Sequence, residues 1–171
     1  MTVIIRRADL VDIPSIAYIL TLSFYPRSGW LFPLWRWSIG WDVRWRFLDA
    51  SPRYACLVAI DPTLAVPPIV GTIEICTKPN LGQPKSKNQP YLFNLAVHPR
   101  WRRQGVATQL LLAVEPLVQQ WGFNQVFMHV MAHNHPAHKL YSQSNYQPQQ
   151  IDRVWGGVRL LLAKQLAYPT N

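Results

Sequence analysis

The sequence predicts an α/β fold in one domain of 171 residues. Three observations carry this. Val- and Ile-rich runs alternate with helical patterns in the order β-α-α-β-β-β-α-β-α-β-β. A hydrophobic content of 49% supplies a substantial core. No repeat and no second compositional regime divides the chain, so residues 1–171 read as one domain.

Residues 2–7 read as a strand, and Asp12 with Pro14 opens a helix to Phe24 whose Ile13, Ile16, Ala17 and Leu20 share a face. The run 26–29 breaks it. From 33 to 50, Leu34, Trp37, Trp41, Trp45 and Leu48 step by three and four, which predicts a helix with that stripe packed on the sheet as the wall of a cleft. Its other side carries Arg36, Asp42, Arg46 and Asp49. Residues 54–60 and 69–76 read as strands, 78–90 as a mobile Pro/Lys loop, and 91–97 as a strand ended by Pro99. Residues 105–121 form a helix with Pro116 inside it, which predicts a kink or a lost backbone bond, and Gly122 caps its end. Strand 125–131, a short helix 136–144, strand 145–150 and strand 154–162, with Gly156 and Gly157 near its start, complete the order.

Composition narrows the function. Lys and Arg total 17 against 8 Asp and Glu, a formal charge of +9, but only 15% of residues are charged, which excludes a basic disordered tail. The charge permits anionic partners without choosing one. Cys56 and Cys76 sit in apolar runs, as buried free thiols do, rather than in a disulfide or zinc spacing. No run approaches the ~18 apolar residues of a membrane-spanning helix, and the N-terminus has no targeting layout, so a cytoplasmic protein without membrane contact is expected. Four histidines, His129, His133, His135 and His138, form no ligand motif, and no metal is expected.

The chemistry concentrates in residues 94–115. A strand runs into Arg102-Arg103-Gln104-Gly105-Val106-Ala107 and then an apolar helix. A helix N-terminus offers unpaired N–H groups and partial positive charge, and Gly105 and Ala107 let an anion approach. With Arg100, Arg102 and Arg103 this is a phosphate or pyrophosphate seat, or else a helix start with solvated arginines. It is neither a Walker loop nor a dinucleotide fingerprint.

Together with residues 134–146, this stretch resembles the GNAT superfamily of acyl-CoA N-acyltransferases. The family's loop Gln/Arg-x-x-Gly-x-Gly/Ala is matched by Arg102 to Ala107, its strand Leu-x-Val-x-Pro by Leu95, Val97 and Pro99, and its Asn-x-x-Ala-x-x-x-Tyr by Asn134, Ala137 and Tyr141. Asn145-Tyr146 stands where Gly-Phe is usual, a mild departure because Asn tolerates a left-handed turn. The runs 56–59, 71–75 and 121–123 are similar to the cyanobacterial and plastid branch, whose members acetylate lysines and N-terminal amines of proteins.

The resemblance implies a mixed, mostly antiparallel sheet of about seven strands flanked by helices. It implies acetyl-CoA as cosubstrate, its pyrophosphate on the N–H groups of Gln104 to Thr108, its pantetheine along Leu95, Ala96 and Val97, and room for it between the strands of Tyr91 and Gln125. Arg102, Arg103, Gly105, Val106, Ala107, Asn134 and Tyr141 belong to that cofactor set. Tyr141 would be the general acid toward the thiolate, and its other reading is a core aromatic. His129 with Tyr91 matches the bases of the superfamily's N-terminal amine acetyltransferases, against a packed core histidine. Glu74, on a strand face with Val70, Thr72 and Cys76, is the second candidate base, or an ion-pair partner for an arginine of the Trp-rich helix. Phe24, Tyr25 and Pro26 resemble the peptide-facing loop, and residues 153–157 would add to the acceptor site.

The expected reaction is direct attack of a protein N-terminus or lysine on acetyl-CoA in a ternary complex, by a monomer or homodimer. A small-molecule amine is the alternative acceptor. A non-catalytic CoA-binding module touching nucleic acid or ribosome is the alternative of another class, though tryptophans on one helical face argue against an open stacking groove.

Overall fold

The structure, a computed structural model, describes residues 2–24, 32–49, 51–63, 68–79 and 88–167. The element order is β1 (Ile4–Arg7), α1 (Ile13–Phe24), α2 (Phe32–Leu48), β2 (Tyr54–Ile60), β3 (Ile69–Pro79), β4 (Asn88–Val97), α3 (Val106–Gln120), β5 (Gln125–Met131), α4 (His135–Gln143), β6 (Gln147–Val154) and β7 (Gly157–Gln165), with short 3-10 turns at Leu10–Asp12 and Pro99–Trp101. The seven strands run in the order β1-β2-β3-β4-β5-β7-β6. β4 and β5 are parallel, whereas β1–β2, β5–β7 and β6–β7 are antiparallel. This is the mixed, mostly antiparallel α/β architecture expected. The chain divides into two compact units, Met1–Glu74 with Asn94–Leu112, and Ile75–Phe93 with Ala113–Asn171.

In the first unit the stripe of α1 is inward as expected: Ile13, Ile16, Ala17 and Leu20 are buried. Ile13, Ile16 and Leu20 join Ile19, Val43, Cys56, Val58 and Ala96 in one core. Gly71 of β3 faces α3 closely. A Cβ there would lie 3.1 Å from both Val106 and Leu110 side chains and 3.2 Å from the Ala96 carbonyl oxygen, so any larger residue would have to push the helix start a few tenths of an ångström off the strand.

The tryptophan stripe of α2 reverses the expectation. Leu34, Trp37, Trp41, Trp45 and Leu48 are 45–67% exposed, so they do not pack on the sheet. A second stripe, Ile39, Val43 and Phe47, packs into the core instead. Gly40 brings α2 against α1, its ideal Cβ 3.7 Å from the Ala17 Cβ. Arg46 also turns inward, to a buried carboxylate, and this orients the indoles outward. Trp30 lies outside the described residues.

In the second unit, β5 pairs with β7 along its length, from Gln125↔Gln165 to Met131↔Arg159, and Phe127, Leu161 and Ala163 form a small core against Tyr91. Two helices end in the same way. Gly122 (φ +81°) donates to Gln119 and Phe123 to Val118, closing α3, which contains Pro116. Asn145 (φ +64°) donates to Ser142 and Tyr146 to Tyr141, closing α4. Both are Schellman turns, and the Tyr141–Tyr146 ring contact (5.9 Å) supplies the apolar clasp of the second.

Several boundaries differ from the sequence reading. β3 runs on to Pro79 and β4 begins at Asn88, so both ends of the expected loop 78–90 are strand. The last hairpin sits later, with β6 reaching Val154 and β7 starting at Gly157. Cys56 is buried but Cys76 only half-buried.

Because Asn145 holds a left-handed conformation, Asn145→Gly should leave the urea midpoint nearly unchanged, whereas Asn145→Ala should cost about 1 kcal/mol. Equal midpoints for the two variants would mean the turn does not depend on this residue's φ.

Candidate active site

The first unit presents the anion seat. Gly105 opens α3, its carbonyl accepting from the Gln109 N–H at 3.0 Å. The N–H groups of Val106, Ala107 and Thr108 begin the helix and have no carbonyl a turn earlier to bond. The approach is bent by Arg103 (φ +64°) and Gly105 (φ +81°). A Cβ on Gly105 would meet only the Gln109 side chain at 3.9 Å, so its backbone angle, not crowding, calls for glycine. Arg102 donates through Nε to the Val97 carbonyl at 3.0 Å, tying the loop to the end of β4 beside Leu95 and Ala96. Gln104 donates to the Arg100 carbonyl at 3.0 Å. Arg100, Arg102 and Arg103 are exposed around this turn. The matched loop residues therefore fit a diphosphate: free amides, positive dipole and cationic rim.

Glu74 lies in the same unit, fully buried, amid four donor contacts. Arg46 reaches it through Nε (2.7 Å) and Nη2 (3.1 Å), the Tyr54 hydroxyl donates at 2.8 Å, and the Asn94 amide donates at 2.8 Å. Arg46 also pairs with Asp42. Burial opposes the Arg46 charge, but Glu74 and Asp42 outweigh it and raise its pKa. Burial and the Glu74 charge push the Tyr54 phenol up. Asn94 has φ +53° in the middle of β4, and Glu74 anchors its side chain there. The carboxylate is thus engaged in fixing α2, β2 and the β4 irregularity.

The second unit joins two residues that stand 38 apart in sequence. The Tyr91 hydroxyl lies 2.7 Å from His129 Nδ1. On the other side, His129 Nε2 lies 3.0 Å from Asp152 Oδ2. A carboxylate only accepts, so Nε2 carries the proton, Nδ1 is the lone-pair nitrogen, and Tyr91 donates to it. Asp152 is held in turn by Arg159 Nε (3.3 Å) and Gln150 (2.7 Å). Burial opposes its charge, yet these bonds outweigh it and keep the carboxyl below its usual range. Burial and the Arg159 charge push His129 below 6.5, against the pull of Asp152, so the imidazole is neutral at pH 7. Burial raises the Tyr91 phenol, which is protonated. The sequence reading missed Asp152 and Arg159. The one available signal was that Asp152 is the sole acid of its strand.

Tyr141 lies on α4, buried, its phenol pushed up to about 12 chiefly by burial. It is therefore a proton carrier at neutral pH. Asn134 caps α4, accepting from the Ala137 N–H at 3.2 Å. Phe24 ends α1, 56% exposed, while Tyr25 and Pro26 lie outside the described residues. His138 bonds the Met131 carbonyl at 3.1 Å. No three metal-ligating side chains converge among the described residues.

Residues 15–146 match the model of the Acetyltransferase (GNAT) family. The chain belongs to that family. GCN5-related N-acetyltransferase 10, chloroplastic, of Arabidopsis thaliana is 25% identical over 95% of this chain and 68% of its own length. The PaiA N-acetyltransferase of Thermoplasma acidophilum, solved with coenzyme A, shares the fold at a TM-score of 0.73, with 16% identity over 96% of this chain and 99% of that one. A chain of the NatC complex bound to Gag peptide and CoA does so at 0.69, with 17% identity over 98% of this chain and 100% of that one. Membership sets the reaction class, acetyl-CoA-dependent transfer of an acetyl group to an amine.

Arg46→Ala strands a fully buried carboxylate and should destabilise the protein by about 3–5 kcal/mol in urea unfolding. A loss below about 1 kcal/mol, the range of an exposed pair, would show that the ion pair is not structural.

Proposed function

We propose that this N-acetyltransferase modifies a protein amine, an N-terminus or a lysine, by direct attack in a ternary complex. His129 is its general base, acting through Tyr91. The observation that carries this is the chain Tyr91–His129–Asp152, in which a neutral imidazole faces a protonated phenol and is backed by a carboxylate.

The neutral amine nitrogen attacks the thioester carbonyl carbon, forming the C–N bond. Its proton passes to the Tyr91 oxygen as the Tyr91 proton passes to His129 Nδ1, and Asp152 stabilises the imidazolium. The C–S bond breaks, and Tyr141 gives its proton to the departing thiolate. The positioned base and acid supply the proton transfers this needs. Asn134, Leu95, Ala96, Val97 and the loop from Arg102 to Thr108 are assigned to acetyl-CoA. The diphosphate lies on the amides of the α3 start, and the arginines neutralise it. Glu74 is assigned a positioning role through Asn94, with the base role left to His129.

The electrostatics of the second unit favour a protein acceptor over a polyamine. Its two acids, Glu115 and Asp152, are both engaged, Glu115 by Lys164 at 2.5 Å and Asp152 by His129 and Arg159. No free carboxylate among its described residues would receive a second cationic amine. The peptide-bound NatC neighbour is consistent with this choice.

Mass spectrometry of a peptide library incubated with acetyl-CoA should show acetylated N-termini or lysines. His129→Ala and Tyr91→Phe should each lower kcat by about 10²–10⁴ and Tyr141→Phe by a similar order. Unchanged acceptor-dependent CoA release in His129→Ala and Tyr141→Phe would remove the mechanism. Acetylation of polyamines alone would move the acceptor to small molecules.

Asp152 raises the pKa of His129 by hydrogen bond and charge. Asp152→Asn should therefore shift the acidic limb of kcat/KM to lower pH and lower the plateau about tenfold or more. An unmoved limb would take His129 out of the base role.

A further inference from the structure

α2 is apolar on two opposite faces, a pattern expected of a helix covered on both sides. One face is covered by the core. The other, Leu34, Trp37, Trp41, Trp45 and Leu48, is 45–67% exposed and runs about 21 Å along the helix at 1.5 Å per residue. Isolated exposed apolar residues are ordinary, but a continuous tryptophan stripe is not.

The chemistry of the stripe and its margin selects the occupant. Indole has a large apolar body with a single N–H and concentrates where hydrocarbon meets polar headgroups. Arg36 and Arg44 are exposed beside the stripe, and neither forms an ion pair among the described residues. Between α1 and α2 a groove of about 450 Å³ is lined by Ala17, Gly40, Trp37 and Trp41, with those two arginines among its lining residues. An apolar trough with guanidinium groups beside it suits a ligand that is hydrocarbon at one end and phosphate at the other. The whole chain carries +9, matching a negative surface. Base stacking fits less well: the Trp37 and Trp41 rings meet edge to face, centroids 6.0 Å apart at 72°, and leave no parallel slot.

We propose that α2 docks flat on the surface of an anionic lipid bilayer, tryptophans in the headgroup layer and Arg36 and Arg44 on lipid phosphates. This is a peripheral contact. No described helix is long and apolar enough to cross a membrane. The proposal does not depend on the catalytic assignments above.

The test is flotation of the full chain with phosphatidylcholine vesicles containing phosphatidylglycerol, together with indole emission. The protein should float with anionic vesicles, its emission should shift to the blue, and brominated lipids should quench it. The triple variant Trp37→Ser, Trp41→Ser, Trp45→Ser should lose flotation while keeping its circular dichroism spectrum and melting transition. Arg36→Gln with Arg44→Gln should weaken binding about tenfold or more, since each cation near an anionic surface contributes about fivefold. The fully exposed Trp155 serves as control, and Trp155→Ser should float like the parent. The proposal is overturned if the parent does not float, or if the triple variant floats equally. It is also overturned if the stripe instead mediates a dimer seen by sedimentation without lipid, or oligonucleotide binding that the triple variant abolishes.

Discussion

One buried carboxylate organises the first unit. Glu74 is wholly removed from water, where an unpaired charge would be intolerable. It is tolerable because a bidentate arginine, a phenol and an amide close around it. Each donor comes from a different place: Arg46 from α2, Tyr54 from the start of β2, Asn94 from β4. Satisfying Glu74 therefore sets the rotation of α2 about its axis. Arg46 must face in, Val43 follows it into the core, and the tryptophan stripe on the far side is left facing out. The Asn94 bond steadies a left-handed residue in mid-strand, just before Leu95 and Val97, which the proposed reading gives to the cosubstrate.

The second unit uses charge differently. Here a carboxylate is not the centre but the backing of an imidazole. Asp152 fixes which nitrogen of His129 bears the proton, and Arg159 and Gln150 fix Asp152. Burial and Arg159 push His129 down while Asp152 pulls it up. The result is a ring neutral at pH 7 but still able to accept a proton, and the proposed mechanism needs both.

Much of this was legible from residues alone, for physical reasons. The loop from Arg102 to Ala107 is local chemistry, and a helix start reads the same wherever it sits. Asn145 announced a left-handed turn because few other side chains tolerate one. The α1 stripe was unambiguous because only one of its faces is apolar throughout. α2 was not: its indoles dominate any hydrophobic count and hide the Ile39, Val43 and Phe47 stripe, and a distant glutamate decided between the faces. Asp152 was out of reach for a similar reason. Its contact with His129 depends on the pairing of β6 and β5 with β7, including the irregularity between Pro148 and Gln150. The ends of β3 and β4 were hidden by Pro and Lys, residues that usually mark loops. The Lys78 ammonium instead rests 4.8 Å over the Tyr91 ring and 4.6 Å over that of Phe93.

The scarcity of acids ties these findings together. The chain has 8 Asp and Glu, and only two of them are glutamates. Asp12 is held by Arg6, Asp61 by Trp101 and Thr63, Glu74 by Arg46, Glu115 by Lys164 and Asp152 by Arg159. A carboxylate clamped in an ion pair is a poor general base, because protonating it forfeits the pair. With these five acids held in such contacts, the proposed reading places proton transfer on imidazole and phenol. In keeping with the same deficit, Arg36 and Arg44 form no ion pair among the described residues. The acids that build the interior therefore explain both why the base is a histidine on the proposed reading and why the surface remains so positive.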